Sequence, residues 1–140
     1  MPEVILFENI ARIGPPGDTQ IFSLPEARAM LPLVIRVTRQ AAEELSPVQS
    51  RLRRMLSCDP RLPSVEADFE GVVRAWIGKI ERLGLIADGL WWVSFDLGEG
   101  YVSWRYPEIR LDYFYANGER PRDRRKISEV CEQFIPDWVH

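Results

Sequence analysis

Apolar and polar side chains alternate between Trp91 and Tyr115, which is the period of a β-strand with one buried face. Gly98 and Glu99 interrupt the alternation and are typical of a two-residue hairpin loop, with glycine at the first central position, where a positive φ is needed. This loop predicts a register in which every residue of one face is apolar or glycine. The predicted pairs of this face are Leu97 with Gly100, Phe95 with Val102, Val93 with Trp104, and Trp91 with Tyr106.

The opposite face of the predicted hairpin is polar and aromatic. It pairs Asp96 with Tyr101, Ser94 with Ser103, and Trp92 with Arg105. The guanidinium of Arg105 is expected to lie over the indole of Trp92, because cations are attracted to the faces of aromatic rings. A one-residue slip would mix the two faces, so the alternation itself specifies the register.

Pro107 and Glu108 predict a second turn, since proline presets φ at the first central position of a type I or II turn. A third strand then pairs Tyr106 with Ile109, Trp104 with Leu111, and Val102 with Tyr113. This register places Arg110 and Phe114 on the same polar face as Trp92. A bulged continuous strand is the alternative, because type I and II turns suit two-residue hairpins poorly.

A heptad stripe begins after Ser23 and Glu26, which have the spacing of a capping box at a helix start. The members of the stripe are Leu24, Ala27, Leu31, Val34, Thr38, Ala41, Leu45, Val48, Leu52 and Met55. The stripe predicts one long helix over residues 24–57, kinked at Pro32 and Pro47, which lie off the stripe.

A second helix is predicted over residues 65–83, with Ser64 as its N-cap and Gly84 as its left-handed stop. Its apolar stripe contains Phe69, Val73, Trp76, Ile80 and Leu83. An antiparallel hairpin with a crossing angle of about 20° buries both stripes. At 1.5 Å per residue the helices span about 51 Å and about 28 Å, so part of the first stripe needs another cover. The sheet, the N-terminal segment or a second copy of the chain would supply it, and the surplus stripe predicts a homodimer or a larger assembly.

The predicted fold is α+β, with a long helical hairpin packed on a small antiparallel β-meander and a short C-terminal helix. At 140 residues the chain is expected to form a single domain. Its predicted parts are an N-terminal extension (1–21) with a strand at residues 4–13, the helical hairpin (22–84), the β-meander (88–116), a turn at Asn117 and Gly118, and the C-terminal helix (123–136).

Composition and charge name no partner. A net charge of -3 provides no general attraction to nucleic acid or to an anionic membrane. The two cysteines, Cys58 and Cys131, form no Cys-x-x-Cys pair and are expected to be buried free thiols. The first residues have no basic region before a short apolar run, so a cytoplasmic protein without a signal peptide or membrane span is expected.

No residue pattern in the sequence names a reaction. Gly-x-Gly-x-x-Gly, Walker, Gly-x-Ser-x-Gly and His-Glu-x-x-His patterns are absent, and the only histidine is His140. Carboxylates gather in the predicted sheet region, where a pair of them would serve acid–base chemistry or bind a hard cation. They are Asp88, Asp96, Glu99, Glu108 and Asp112. Turn and solvent-facing positions are the favoured explanation for them, so no catalytic residue, metal or cofactor is predicted.

The candidate binding residues are aromatic, basic and acidic side chains of the sheet and of the segment that follows it. They are Trp92, Glu99, Arg105, Arg110, Phe114, Arg122, Arg124 and Arg125. Aromatic and arginine side chains on a sheet face are the types enriched at protein interfaces. The basic run at residues 120–126 would hold phosphates, but residues 116–140 contain five basic and five acidic side chains. This balance makes an acidic protein surface an equally good target for the run.

One segment resembles the opening of a bacterial family of uncharacterised proteins, domain-of-unknown-function family 2203. The segment is Phe22-Ser23-Leu24-Pro25-Glu26-Ala27-Arg28-Ala29-Met30-Leu31-Pro32-Leu33. Members typically begin with a Phe-Ser/Thr-x-x-Glu-Ala helix ending in Leu-Pro, and later carry Trp-x-Leu-Gly-Glu and a Trp-His pair. Leu97-Gly98-Glu99 is similar to the Leu-Gly-Glu part, while Phe95 stands at the first tryptophan and Trp104-Arg105-Tyr106 lacks the histidine. The resemblance covers residues 22–122 loosely and implies a helix-then-sheet order, with no established activity.

These features together predict a small cytoplasmic interaction or assembly protein without catalysis. A first alternative is a small-ligand binder or enzyme that uses Glu99, Glu108 and Arg105 in a cleft between the hairpin and the sheet. A second alternative is a nucleic-acid binder that uses residues 120–126.

Overall fold

The computed structural model describes residues 19–128 of the chain. Two helices are followed by a five-stranded antiparallel sheet, so the fold belongs to the predicted α+β class. The elements are helices α1 (Leu24–Arg54) and α2 (Leu62–Arg82), strands β1 (Ile86–Gly89), β2 (Trp92–Asp96), β3 (Gly100–Arg105), β4 (Tyr113–Ala116) and β5 (Arg125–Lys126), and a 3-10 turn at Pro121–Asp123. Strands that follow one another in the chain are neighbours in the sheet, which is therefore a meander.

Helix α1 begins at the predicted capping box. The Ser23 hydroxyl accepts a hydrogen bond from the Glu26 backbone N–H at 3.2 Å, and the Glu26 carboxylate accepts one from the Ser23 N–H at 2.9 Å. The helix continues through Pro32 and Pro47, as predicted, and ends at Arg54. Both prolines are exposed, so water can reach the carbonyl groups that lose an N–H partner.

Neither helix of residues 19–128 contains an apolar stretch that could span a lipid bilayer.

Helix α2 begins earlier than predicted. Its first residue is Leu62, and Arg61 occupies the N-cap position that the sequence assigned to Ser64. Pro63 accounts for the earlier start, because proline has a φ suited to the first helical turn and lacks only an N–H that this turn does not need.

The end of α2 is tied to the segment that precedes α1. Gly84 has a φ of +83°, which confirms the predicted left-handed stop, and the Leu85 N–H donates to the Ile80 carbonyl at 3.2 Å. The Gly84 carbonyl accepts a hydrogen bond from the Gln20 N–H at 3.0 Å. The Gln20 side chain also lies where a Cβ on residue 84 would be, so only glycine fits there.

The two helices pack antiparallel around a buried polar bond. The Trp76 Nε1–H donates to the Thr38 hydroxyl at 2.9 Å, and both side chains are buried. Nearer the connection between the helices, Arg51 and Asp68 approach to 3.8 Å. Helix α2 therefore covers the middle and C-terminal parts of the α1 stripe.

The sheet covers the N-terminal part of the same stripe. The stripe residues from Leu24 to Leu31 belong to one buried cluster with Phe95 and Trp104, and the Phe22 ring meets the Phe95 ring edge-on at 5.8 Å. The first seven stripe residues are buried, whereas the last three, Val48, Leu52 and Met55, are partly exposed. The sheet is thus one of the predicted covers, and assembly of two copies stays a prediction.

The β2–β3 hairpin has the predicted register. Phe95 pairs with Val102 and Val93 pairs with Trp104, and all four side chains are fully buried. The polar pairs Trp92–Arg105, Ser94–Ser103 and Asp96–Tyr101 are also as predicted. Gly98 at the turn has a φ of +88°, which is the positive value that the loop requires.

The predicted register of the third strand is wrong by one residue. Val102 pairs with Phe114 and not with Tyr113, which pairs with Ser103. Because side chains alternate along a strand, this slip exchanges the two faces. Phe114 lies on the apolar face and is only 4% exposed, so the prediction that it joins the polar face is wrong. Tyr113 and Tyr115 take the polar face instead.

The β3–β4 connection accounts for the slip. The turn is centred on Tyr106 and Pro107, which are joined by a cis peptide bond, and not on Pro107 and Glu108. The Glu108 N–H donates to the Arg105 carbonyl at 2.8 Å and closes this turn. Residues 109–112 then lie outside the strands, so neither the predicted hairpin nor the bulged continuous strand forms.

Trp91, between β1 and β2, has a φ of +58°, which is unusual for a bulky side chain. Its ring meets the Trp76 ring edge-on at 5.0 Å, and its carbonyl accepts a hydrogen bond from the Tyr106 N–H at 2.9 Å. These contacts on both sides hold the residue in the left-handed region.

The remaining predictions have mixed outcomes. The turn at Asn117 and Gly118 is confirmed, with a φ of +86° at the glycine. Strands β1 and β5 are not predicted, and β5 occupies residues that were assigned to the C-terminal helix of 123–136. The rest of that helix from residue 129, the N-terminal strand at 4–13 and Cys131 lie outside the described residues. Cys58 is exposed in the connection between the helices, so the prediction that it is buried is wrong.

Replacing Thr38 by Val tests the polar bond between the helices. Valine preserves the shape but leaves the buried Trp76 N–H without its acceptor, which should lower the free energy of unfolding by about 1–3 kcal/mol. Urea denaturation measures the loss, with Thr38→Ser as the control that keeps the hydroxyl. A valine variant at least as stable as both the native chain and the serine variant would show that the bond does not stabilise the fold.

A pair of glycine substitutions tests the packing of β3 on β4. A Cβ on Gly100 would lie 2.5 Å from the Phe114 ring and 3.0 Å from the Tyr115 carbonyl oxygen, so Gly100→Ala should destabilise by about 1–3 kcal/mol. Gly71→Ala in α2 meets no atom within 4 Å and should stabilise by up to about 1 kcal/mol. Thermal unfolding of both variants checks the two signs, and a stabilising Gly100→Ala would contradict the close approach.

Candidate functional site

The face of the sheet that points away from the helices carries a group of aromatic and arginine side chains. We call this group the aromatic face; its members are Trp92, Tyr101, Tyr113, Tyr115, Arg105 and Arg124. Five of them come from β2, β3 and β4 because the register places every second residue of these strands on one side. Trp92, Arg105 and Arg124 are predicted binding residues, and the predicted hairpin register already places Tyr101 on this face. Tyr113 and Tyr115 follow from the register of β4, which the sequence did not predict.

Trp92 lies between two arginines. The Arg105 guanidinium is 4.8 Å from the centre of the indole, which confirms the predicted contact, and the Arg124 guanidinium is 5.6 Å from it. The Trp92 Nε1–H donates to the Ser103 hydroxyl at 2.8 Å. This bond satisfies a fully buried serine and fixes the orientation of the indole.

Arg124 is held by two kinds of contact. Its guanidinium forms a bidentate pair with the Glu108 carboxylate, at 2.9 Å and 2.7 Å, and lies 4.1 Å above the centre of the Tyr113 ring. The same Glu108 carboxylate accepts a hydrogen bond from the Arg105 backbone N–H at 2.8 Å. Glu108 therefore joins the turn after β3 to the segment before β5.

A buried polar cluster lies next to the aromatic face. The Ser94 hydroxyl is hydrogen-bonded to the Asp88 carboxylate and lies 2.6 Å from the Tyr115 hydroxyl. An ionised carboxylate only accepts, so Ser94 donates to Asp88 and Tyr115 donates to Ser94. The Tyr115 ring is stacked on the Tyr101 ring, with centres 4.9 Å apart.

Burial dominates the titration of this cluster. Loss of hydration raises the pKa of Asp88 from its ordinary value of 3.8 to about 6, against the opposing effect of hydrogen bonds from Ser94 and Tyr115. Burial, followed by the negative charge of Asp88, also raises the pKa of Tyr115. Asp88 thus changes charge close to neutral pH, beside the ring stack of the aromatic face.

The other predicted binding residues are dispersed. Glu99 is exposed at the tip of the β2–β3 turn, and Arg110 is exposed in the connection outside the strands. Arg122 is exposed in the 3-10 turn, while Arg125 pairs with Glu119 at 3.1 Å. The structure therefore brings Trp92, Arg105 and Arg124 together and leaves these four positions apart from them.

The predicted carboxylates have structural partners or lie at the surface. Asp96 accepts a hydrogen bond from the Gly98 N–H at 2.8 Å and so supports the hairpin turn. Asp112 is exposed. Within residues 19–128 no group of three or more histidine, cysteine, aspartate or glutamate residues is arranged to hold a metal ion. The chemistry available on the aromatic face is ring stacking, cation–π contact and charge pairing.

Comparisons with protein families, with curated proteins and with solved structures find no match to this chain. The resemblance to domain-of-unknown-function family 2203 therefore stays a prediction. The function of the aromatic face is inferred from its geometry and chemistry.

Replacing Asp88 by Asn should change how stability depends on pH. The folded chain binds the Asp88 proton more tightly than the unfolded chain, so this group costs nothing below about pH 4 and destabilises as pH rises through about 6. Across that range the native chain should lose about 3 kcal/mol relative to the asparagine variant. Urea denaturation between pH 4 and pH 7.5 measures the difference.

Asp112→Asn serves as the control for this experiment, because Asp112 is an exposed carboxylate of the same region. The Asp88→Asn curve should depart from that of the native chain by more than the Asp112→Asn curve does. Parallel curves for the native chain and the Asp88→Asn variant would instead show that the buried carboxyl has an ordinary pKa.

Proposed function

We propose that this protein is a protein-interaction module that binds its partner through the aromatic face. The observation that carries the proposal is the grouping of Trp92, Tyr101 and Tyr113 with Arg105 on one side of the sheet. Tryptophan, tyrosine and arginine are the residue types most enriched at the energetic centres of protein interfaces. All four side chains are at least partly exposed, so a partner can reach them.

These side chains are already held in one conformation, which supports the proposal. The Trp92 indole is hydrogen-bonded to Ser103, Arg124 is held by Glu108, and Tyr101 is stacked on its neighbour in β4. Side chains that are already ordered lose less conformational entropy on binding. A partner therefore meets a rigid surface of stacked rings and guanidinium groups.

Charge pairing supports a protein partner over a nucleic acid. Two arginines of the basic run are already paired, Arg124 with Glu108 and Arg125 with Glu119. Cations that are paired within the chain release fewer counterions from phosphates, which weakens the main source of nucleic-acid affinity. Arg105, whose side chain is exposed beside Trp92, favours a partner that places a carboxylate next to an apolar or aromatic patch.

We propose self-association as a separate contact, through the end of α1 and not through the aromatic face. Val48, Leu52 and Met55 continue the apolar stripe of α1 and are partly exposed. A homodimer would bury this remainder, as the surplus stripe predicts.

Reversing the charge of Arg105 tests the proposal. Arg105→Glu changes an exposed side chain on the aromatic face, and Arg110→Glu makes the same change on an exposed residue outside that face. We expect Arg105→Glu to weaken partner binding about tenfold or more, and Arg110→Glu to leave it within about twofold. Quantitative co-purification from host cells measures binding to other proteins, and sedimentation velocity measures self-association.

Circular dichroism and urea denaturation of both variants establish that each remains folded. The proposal is wrong if the native chain retains no protein in proportion to its amount. It is equally wrong if Arg105→Glu leaves the binding of a retained protein unchanged.

A further inference from the structure

A pocket lies where α1 ends and α2 begins. It is lined by Arg51, Arg54, Met55 and Arg61, and its volume is about 180 Å³. Pockets for complete small-molecule ligands usually exceed roughly 300 Å³, so this one suits a single small charged group. We call it the hairpin pocket; none of the residues of the aromatic face lines it.

Arg61 is fixed in place by Asp59. The Asp59 carboxylate accepts hydrogen bonds from the Arg61 backbone N–H at 2.9 Å, from Nε at 3.2 Å and from Nη2 at 2.9 Å. A guanidinium anchored along one edge keeps a fixed direction, although the Arg61 side chain is 77% exposed. The wall of the pocket that Arg61 supplies is thus ordered before any ligand arrives.

Carboxylates compensate the positive charges of Arg51 and Arg54 only weakly, although both lie in the last turn of α1, where the helix dipole favours cations. Arg51 is 3.8 Å from the Asp68 carboxylate, and both side chains are more than half exposed, so solvent weakens this pair. Arg54 donates from Nε to the Ser50 carbonyl at 3.2 Å, and no ion pair links it to a carboxylate within residues 19–128. Three arginines therefore line one pocket, with carboxylate partners for only two of them.

The beginning of α2 adds to this surplus of positive charge. Arg61 is the N-cap residue, forms no capping hydrogen bond from its side chain, and is followed by a first helical turn without an acidic residue. A helix start carries partial positive charge and normally attracts acidic residues, so an arginine there is electrostatically unfavourable. The whole chain has more acidic than basic residues. The excess of positive charge is therefore local to this end of the helical hairpin.

We propose that the hairpin pocket binds a phosphate group, with Arg51 and Arg54 as its main ligands and Arg61 as a fixed third cation. A planar guanidinium presents parallel N–H donors that match the oxygen spacing of phosphate, and the pocket has room for such a group. Two sources have this chemistry, a soluble phosphate compound and the headgroup of an anionic phospholipid. Met55 in the wall and Leu56 beside it, which is 72% exposed, offer apolar contact to either.

Calorimetric titration of the native chain with pyrophosphate at low ionic strength tests the proposal, because pyrophosphate supplies phosphate groups without an organic part. We expect saturable binding with one site, weakened about tenfold by Arg54→Gln and by Arg51→Gln, since each removes charged hydrogen bonds. Arg74→Gln, which removes an exposed arginine of α2 outside the pocket, should leave affinity within about twofold. Co-sedimentation with phosphatidylcholine vesicles, with and without phosphatidic acid, forms the second arm.

Each result of these two arms decides the proposal. Pyrophosphate binding that depends on Arg54, without vesicle binding, supports a soluble phosphate compound. Arg54-dependent binding to vesicles that contain phosphatidic acid supports a lipid headgroup. Absence of both, or binding that Arg54→Gln leaves unchanged, overturns the proposal. Neither result bears on the aromatic face, which shares no residue with the pocket.

Discussion

The register of the β2–β3 hairpin is the constraint on which the rest of the structure depends. The glycine turn at residue 98 sets which side chains lie opposite one another, and the alternation of the strands then sends Phe95 and Trp104 to the helices. The same alternation sends Trp92 to the other side, where it meets two guanidinium groups. One turn thus determines both what the helices pack against and what the outer face presents.

Local sequence patterns are sufficient to predict the parts of the fold that depend on residues close together in the chain. The capping box at Ser23, the stripe of α1 and the left-handed stop at Gly84 each involve residues within a few positions of one another, and each is confirmed. The turn after β3 is harder to predict from the sequence, because Pro107 can occupy either the first or the second central position of a turn. The resulting slip of one residue moved Phe114 from the outer face to the core, and it hid Tyr113 and Tyr115 from the candidate site.

The contacts that define the candidate site were beyond sequence reasoning for a different reason. Glu108 and Arg124 are sixteen positions apart, and Ser94 and Tyr115 are twenty-one apart. Such pairs satisfy polar groups that folding would otherwise leave without hydration, so they are determined by the tertiary arrangement and not by local pattern. Among the described residues, no buried side-chain nitrogen or oxygen lacks a hydrogen-bond partner. The sequence places Asp88 only among turn and solvent-facing carboxylates, because the short strand β1 that carries it has no clear alternation of buried and exposed residues.

The bond between Gln20 and Gly84 has a consequence for the way in which the molecule opens. One carbonyl at the end of α2 holds the chain immediately before the capping box of α1, although the two points are more than sixty positions apart in sequence. Fraying of the last turn of α2 would break that bond, and the chain before α1 would then be held by its other backbone bond, from the Phe22 N–H to the Asp96 carbonyl at 2.8 Å. Ends of helices usually open separately and at little cost in free energy. Here the end of α2 and the sheet hold the start of α1 together, so the Gln20 amide proton should exchange with the end of α2 and the Phe22 amide proton with β2.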